Sequence, residues 1–336
     1  MIESRPMLNI HNGDSTAGTV RKAGVPGEHL AWREALVYGP TPGGMSDKDF
    51  RQVRAGHLSK VYGLKFEECE KALREQQAAI ENSGKHDEIV LWFEHDLFCQ
   101  IHLIYLLASF ARSELGNTRL SLICIDGFPG ISDFRGLGQL NEEQLASLFP
   151  RRRLLSSAQM ELGLKAWRAF SASDPSQIES LLAADTAALP FLKPALFKHL
   201  ERFPSVRNGL GRVQDLILEL IAAGDGEFKK LFPAFGKREP LYGFGDAQVF
   251  LELKRLTKGL HRLLEMIHKR NVSPAGSNAS FQITDHGQAV LHGEADFIGL
   301  NGIDMWLGGV HLQGNEAAWR WDEQRHALIS PITVRE

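Results

Sequence analysis

The sequence predicts an α/β fold: a mostly parallel sheet with helices on both faces, followed by a mainly helical module with a winged-helix-like end. Three observations carry this. Short, near-continuous apolar runs, such as Glu88 to Phe93 and Arg119 to Ile125, read as strands buried on both faces. They alternate with stretches of helical period, the arrangement that produces crossover-connected parallel strands. Polar residues collect immediately after the strands rather than within them.

In order, Met7 to Asn12 reads as a first strand and Gly13-Asp14-Ser15 opens a helix over Thr16 to Ala23. His29 to Tyr38 is a second apolar stretch, strand-like at its end, stopped by Gly39-Pro40-Thr41-Pro42-Gly43-Gly44. Asp47 to Tyr62 and Phe66 to Ser83 are helices, the latter with Phe66, Cys69, Leu73 and Ile80 on one face. The strand at Glu88 is broken by Glu94-His95-Asp96, and Leu97 to Ser113 is a buried helix. The strand at Arg119 is closed by Asp126-Gly127, and a Gly-rich loop runs to Gly138. Asn141 to Leu148 and Ser156 to Ser171 are helical. A domain division near residue 150 separates a 1–150 α/β domain from a 151–336 helical and winged-helix-like domain.

In the second domain, Gln177 to Phe203, Arg212 to Ala223, Glu227 to Phe235 and a long Asp246 to His268 read as helices. Asn271 to Ser280 reads as a polar loop. A strand, a turn and a short helix follow over Phe281 to Leu291, a succession resembling the winged-helix pattern. Trp306 to Ile329 is strand-like, and its Trp306, Trp319 and Trp321 read as core packing.

Composition narrows the function. The chain has 336 residues, 43% of them apolar, ample for two cores. Met1 to Pro6 is too short and polar for a signal peptide, and no apolar run approaches the roughly 20 residues of a membrane span. Cys69, Cys99 and Cys124 are scattered, which points to a reducing cytoplasm with all three as small core residues. The net charge is −3, and 15 Lys and Arg against 20 Asp and Glu fall in residues 1–150. Neither half is the basic body of a protein held by phosphate contacts, so net charge does not support DNA as a partner.

Two stretches together are similar to a known family. His11-Asn12-Gly13-Asp14-Ser15-Thr16-Ala17-Gly18, with Tyr38-Gly39-Pro40 and Leu91-Trp92-Phe93-Glu94-His95-Asp96-Leu97-Phe98-Cys99-Gln100, resembles the bacterial domain of unknown function 1835 over roughly the first 130 residues. Ile303 to Leu312, with Trp319 to Asp322, looks like a tail seen in some such proteins. The resemblance implies an N-terminal domain joined to a variable helical module, and no activity.

The chemistry rests on position. Open α/β sheets bind ligands outside the carboxyl ends of their strands. Parallel strands would set Asp14, Glu94, Asp96 and Asp126 along one edge, with His11 and His95 beside them. Asn12, Ser15, Thr16, Tyr38 and Gln100 are the further ligand-binding candidates. Ser15 and Thr16, with a helix N-terminus, would hold an oxyanion or phosphate. A divalent cation bridging Asp14, Asp96 and that phosphate would relieve their repulsion, with His95 or His11 as acid or base. Glu94, His95 and Asp96 are then the catalytic candidates, in metal-assisted hydrolysis or group transfer on a small-molecule or nucleotide ligand. The competing structural roles are helix capping for Asp14 and Asp96, a turn for Asp126 and a structural partner for Gln100.

Other chemistries fail on their motifs. Gly13-Asp14-Ser15 matches the nucleophile block of SGNH-type esterases, but no Asp-x-x-His follows anywhere. Gly-x-Ser-x-Gly, the P-loop, the dinucleotide fingerprint and His-Glu-x-x-His are all missing from the sequence. The alternative class is a regulatory or interaction protein whose winged-helix-like half contacts DNA, another protein or a second copy of itself. Lys254, Arg255, Lys258, Arg262, Lys269 and Arg270 supply its basic run.

Overall fold

The computed structural model describes residues 6–268, 278–315 and 317–330. Lys269, Arg270 and most of the expected loop from Asn271 therefore lie outside the described residues. The chain divides into two compact units, Met1–Ala195 and Leu196–Glu336.

The first unit is built on a five-stranded sheet ordered β2-β1-β3-β4-β5, with β1 Met7–His11, β2 Glu28–Ala31, β3 Glu88–Glu94, β4 Arg119–Ile125 and β5 Arg153–Leu154. The first four strands run parallel and β5 is antiparallel. The chain leaves β1 through α1 (Asp14–Lys22) to β2, then returns through α2 (Asp47–Tyr62) and α3 (Phe66–Glu81) to β3 on the other side of β1. Strand order thus reverses between β1 and β3, where an open sheet forms a crevice. The register pairs His11 with Trp92, so β3 extends past β1 and presents Glu94 at its end.

Packing on the two faces explains the apolar runs. On one, α1 and α5 (Glu142–Leu148) close a core of Val20, Val90, Trp92, Leu137, Leu145 and Leu148. Elsewhere in the unit, α4 (Leu97–Phe110) is buried at every residue but Phe98. It packs against α6 (Ser157–Ser171), where Gly163 lies so close to Leu107 that an added Cβ would stand 2.5 Å from the leucine's own. A helix apolar all round belongs in an interior, and here the interior is made by its neighbours.

Several expectations shift. The strand in the His29–Tyr38 stretch lies at its start, not its end. Trp32 N–H closes onto His11 O, and the chain then leaves the sheet with Arg33 N–H on Gln76 and Glu34 on Arg54. Helix α1 begins at Asp14, because Gly13 makes the turn with a φ of 99° that other residues rarely adopt. The short strand β5 carried no sequence signal.

The division falls within α8 (Leu192–Leu200), after which the second unit continues with α9 (Arg212–Ala222), α10 (Phe228–Arg238) and α11 (Asp246–Leu256). The expected single helix over 177–203 is split, with α7 (Ser176–Ala183) ending before Pro190. The long helix expected over 246–268 stops at Leu256. Leu263 N–H bonds back to Leu256 O, and the chain continues as β6 (Leu264–His268), antiparallel to β7 (Ser280–Ile283). After α12 (Asp285–Leu291) and α13 (Phe297–Asn301), the hairpins β8–β9 (Ile303–Leu307, Val310–Gly314) and β10–β11 (Arg320–Asp322, Ala327–Ile329) end the fold. Of the three tryptophans expected in the core, Trp321 is buried, while Trp306 and Trp319 are partly exposed, Trp306 stacking on His311. Among the described residues no helix is long and apolar enough to cross a membrane.

Candidate functional site

At the reversal between β1 and β3, the end of each strand and the first turn of α4 meet. Asp96 caps α4, its Oδ1 accepting from Cys99 N–H at 2.9 Å. The cap also turns Cys99 back toward Glu94, and the Cys99 thiol donates to Glu94 Oε2. The other Glu94 oxygen accepts from Leu137 N–H at 2.7 Å. Gly136 packs closely there: a Cβ would stand 3.0 Å from Glu94 Oε1, so the carboxylate would have to give way.

The donors behind the thiol all point the same way. Leu36 N–H reaches His102 Nε2 at 3.4 Å, and His102 Nδ1 faces Asn12 Oδ1 at 3.0 Å. Asn12 Nδ2 then donates to Cys99 Sγ at 2.7 Å. With His102 neutral and protonated on Nδ1, the chain runs donor to acceptor from Leu36 to Glu94. Burial first, and the Arg54 charge among the lesser causes, hold the imidazole down at about 4 and keep it neutral. Such a chain polarises toward its terminal acceptor.

Glu94, Asp96 and Cys99 are all buried, and their ligand atoms lie within 4.8 Å of one another. Among the described residues no Lys or Arg is ion-paired with either carboxyl group. Burial raises the Glu94 pKa. Burial, and then the charge of Glu94, push Asp96 up to about 7. The Cys99 thiol is raised well above its usual value by burial and by both neighbours. Two close carboxyl groups in a dry site resist a double negative charge. They will share a proton or take up a cation.

The remaining candidates separate. His95 is half-buried, with ring contacts to Phe191 at 6.1 Å and Phe134 at 6.4 Å, and its Nδ1 is buried with no hydrogen-bond partner among the described residues. Gln100 is 1% exposed; its amide nitrogen donates to Glu94 O at 2.7 Å and contacts Cys124 Sγ at 3.4 Å. Thr16 and Tyr38 are buried and Ser15 is exposed.

Asp14 does not join the cluster as a ligand. It stands exposed in the first turn of α1, held by Arg33 through Nε at 2.8 Å and Nη2 at 2.6 Å, which lowers its pKa. It is not the helix cap either, since Gly13 occupies that position. His11 is neutral, held at about 3 by burial and by His29 and Arg21, and its Nε2 faces His29 Nδ1 at 3.0 Å. Asp126 is exposed after β4, and its charge acts on the Cys124 thiol. The sequence alone reads Cys99 as a core residue. Its position three residues after the capping Asp96 was the signal that it shares the first turn of α4.

No protein-family model matches the chain, and no curated protein matches it.

Proposed function

We propose that the α/β unit is a ligand-binding, metal-assisted site of the hydrolase or transferase type, acting on a small molecule or nucleotide at the carboxyl ends of β1 and β3. The observation that carries this reading is the buried set Glu94, Asp96 and Cys99, close enough to share one ion and lacking a Lys or Arg partner. Two carboxylates and a thiolate suit Zn²⁺ better than Mg²⁺, because the thiolate is a soft ligand. The cation would bind with release of protons from Cys99 and the carboxyl pair. His95, with a free ring nitrogen, is the acid–base candidate nearest to Asp96 in sequence, and Asn12 orients the thiol. Arg33 removes Asp14 from the bridging role, so the metal reading here replaces Asp14 by Glu94 and Cys99. The similarity to the domain of unknown function 1835 adds no activity to this.

Equilibrium dialysis against Zn²⁺, Mn²⁺ and Mg²⁺, followed by metal analysis, tests it. One zinc ion per wild-type chain near neutral pH is expected. Asp96→Asn and Cys99→Ser should lose it while keeping their circular dichroism. Wild-type protein that retains no metal from any solution overturns the metal assignment.

A second reading concerns the C-terminal unit. Helices α9, α10 and α11 precede the hairpin β6–β7, and Glu227 bridges to Ser280, an order of helices and strands that fits a winged helix. Its basic run is largely occupied: Arg255 pairs with Glu252, Arg262 with Glu265, and Lys254 lies over Phe250. Leu260 is 95% exposed. These favour a protein partner over DNA. Salt-dependent binding to random duplex DNA would reverse that preference.

A further inference from the structure

Beside β4 the sheet is left incomplete. Strand β5 pairs only with Ser121 and Leu122, and Leu155 N–H adds one bond to Leu120 O. Ile123, Cys124 and Ile125 have no strand on their outer side among the described residues. A cleft of about 440 Å³ opens there, within the size range of small-molecule sites. Most of its lining is apolar, including Phe128 and Phe191.

The cleft also holds charge that no described carboxylate neutralises. Arg151 and Arg153 both line it, and among the described residues neither makes an ion pair. Arg152 between them is turned away, bound to Glu88 and lying over Phe149. At the inner wall, Gln100 uses its amide nitrogen on Glu94 O and Cys124 Sγ. Gln159 lines the cleft too. The lining therefore combines two cationic side chains, two aromatic rings, side-chain amides and an open sheet edge.

We infer that this cleft binds a nucleoside monophosphate. Arg151 and Arg153 hold the phosphate, since guanidinium forks match phosphate oxygens. Phe128 and Phe191 contact the base, whose edge is read by Gln100, by the amide nitrogen of Gln159, whose oxygen is taken by Ser156 N–H, and by the outward backbone groups of Cys124. Gln100 touches both this cleft and Glu94, so the ligand lies one side chain from the carboxyl cluster. The inference rests on the ligand-site reading for its setting and names the substrate class, but binding does not require the metal.

The test is calorimetric titration of the full chain with AMP, GMP, CMP and UMP, with the matching nucleosides and with inorganic phosphate. At least one nucleotide should bind more tightly than its nucleoside or than phosphate. The double variant Arg151→Ala, Arg153→Ala should weaken it roughly tenfold or more, and binding should weaken with added salt. Both arginines are exposed, so the double variant should keep the wild-type melting temperature. Phosphate binding as tightly as the best nucleotide overturns the assignment, as does nucleotide binding that survives loss of both arginines, or no binding at all. Asp96→Asn serves as the second arm. Nucleotide affinity unchanged in it, with zinc lost, supports the cleft and the metal set as separate functions. Zinc retained by a wild-type chain that binds no nucleotide removes this proposal and leaves the metal reading standing.

Discussion

Two buried acidic sites in the same unit have opposite electrostatics. Glu34 is enclosed with Arg54, whose Nη2 approaches Glu34 Oε1 at 2.7 Å, and the guanidinium also donates to the carbonyls of Ala35, Tyr38 and Pro40. Burial alone would raise the Glu34 pKa, but the charge and hydrogen bonds of Arg54 outweigh it and lower it. Glu94 and Asp96 are equally buried, have no such cation, and are raised. A buried carboxylate with its own guanidinium is a finished structural pair. One that must find its counter-charge elsewhere can bind a proton or an ion.

The comparison breaks most readily at Arg54. Arg54→Met leaves Glu34 charged and unpaired, and should cost about 3–5 kcal/mol in denaturant unfolding. A loss below about 1 kcal/mol would mean that Glu34 is not held as an ion. Gly136→Ala is next. It crowds Glu94 Oε1, and should cost about 1–3 kcal/mol by the same measurement, with reduced zinc uptake.

Titration sharpens the contrast. Asp96 is raised from 3.8 to about 7, so in that interval the native chain holds a proton that the unfolded chain has released. Its contribution to stability is complete below pH 3.8 and is lost as pH rises toward 7. Neutral His11 and His102 act in the opposite direction. Their pKa values fall from 6.5 to about 3 and about 4, so their contribution is complete above 6.5 and is lost as pH falls. Asp96→Asn should therefore leave a stability that rises with pH up to about 6.5. The wild type minus variant difference should decline across the Asp96 interval, and a constant difference would show an ordinary Asp96. The smallest effect belongs to Asp14. Its pair with Arg33 is about two-thirds exposed, and Arg33→Ala should cost less than about 1 kcal/mol.

These sites differ in how far the sequence disclosed them. Apolar runs and their polar ends place β3, β4 and the Glu94-His95-Asp96 break, because strand burial and strand ends are local properties. The capping role of Asp96 is local too. The Glu34–Arg54 pair spans twenty positions and depends on the way α2 returns over the loop after β2, which no spacing encodes. Asp14 reads as a site residue until Arg33 is seen beside it. Cys99 reads as core because it is core, and its contact with Glu94 follows from the depth at which α4 starts. The break between α11 and β6 leaves an apolar pattern that suits either element.

The all-round burial of α4 sets the order in which parts of the unit should open. Its amides should exchange with solvent only on global unfolding, since no exposed face lets the helix fray. Asp96 and Cys99 lie at the start of that slowest-exchanging segment, whereas Arg151 ends a short turn and Arg153 opens the two-residue, exposed strand β5. Deuterium uptake would then be slow at Asp96 and Cys99 and fast around Arg151 and Arg153. A ligand bridging the two should slow exchange at residues 149–155 and leave α4 unchanged.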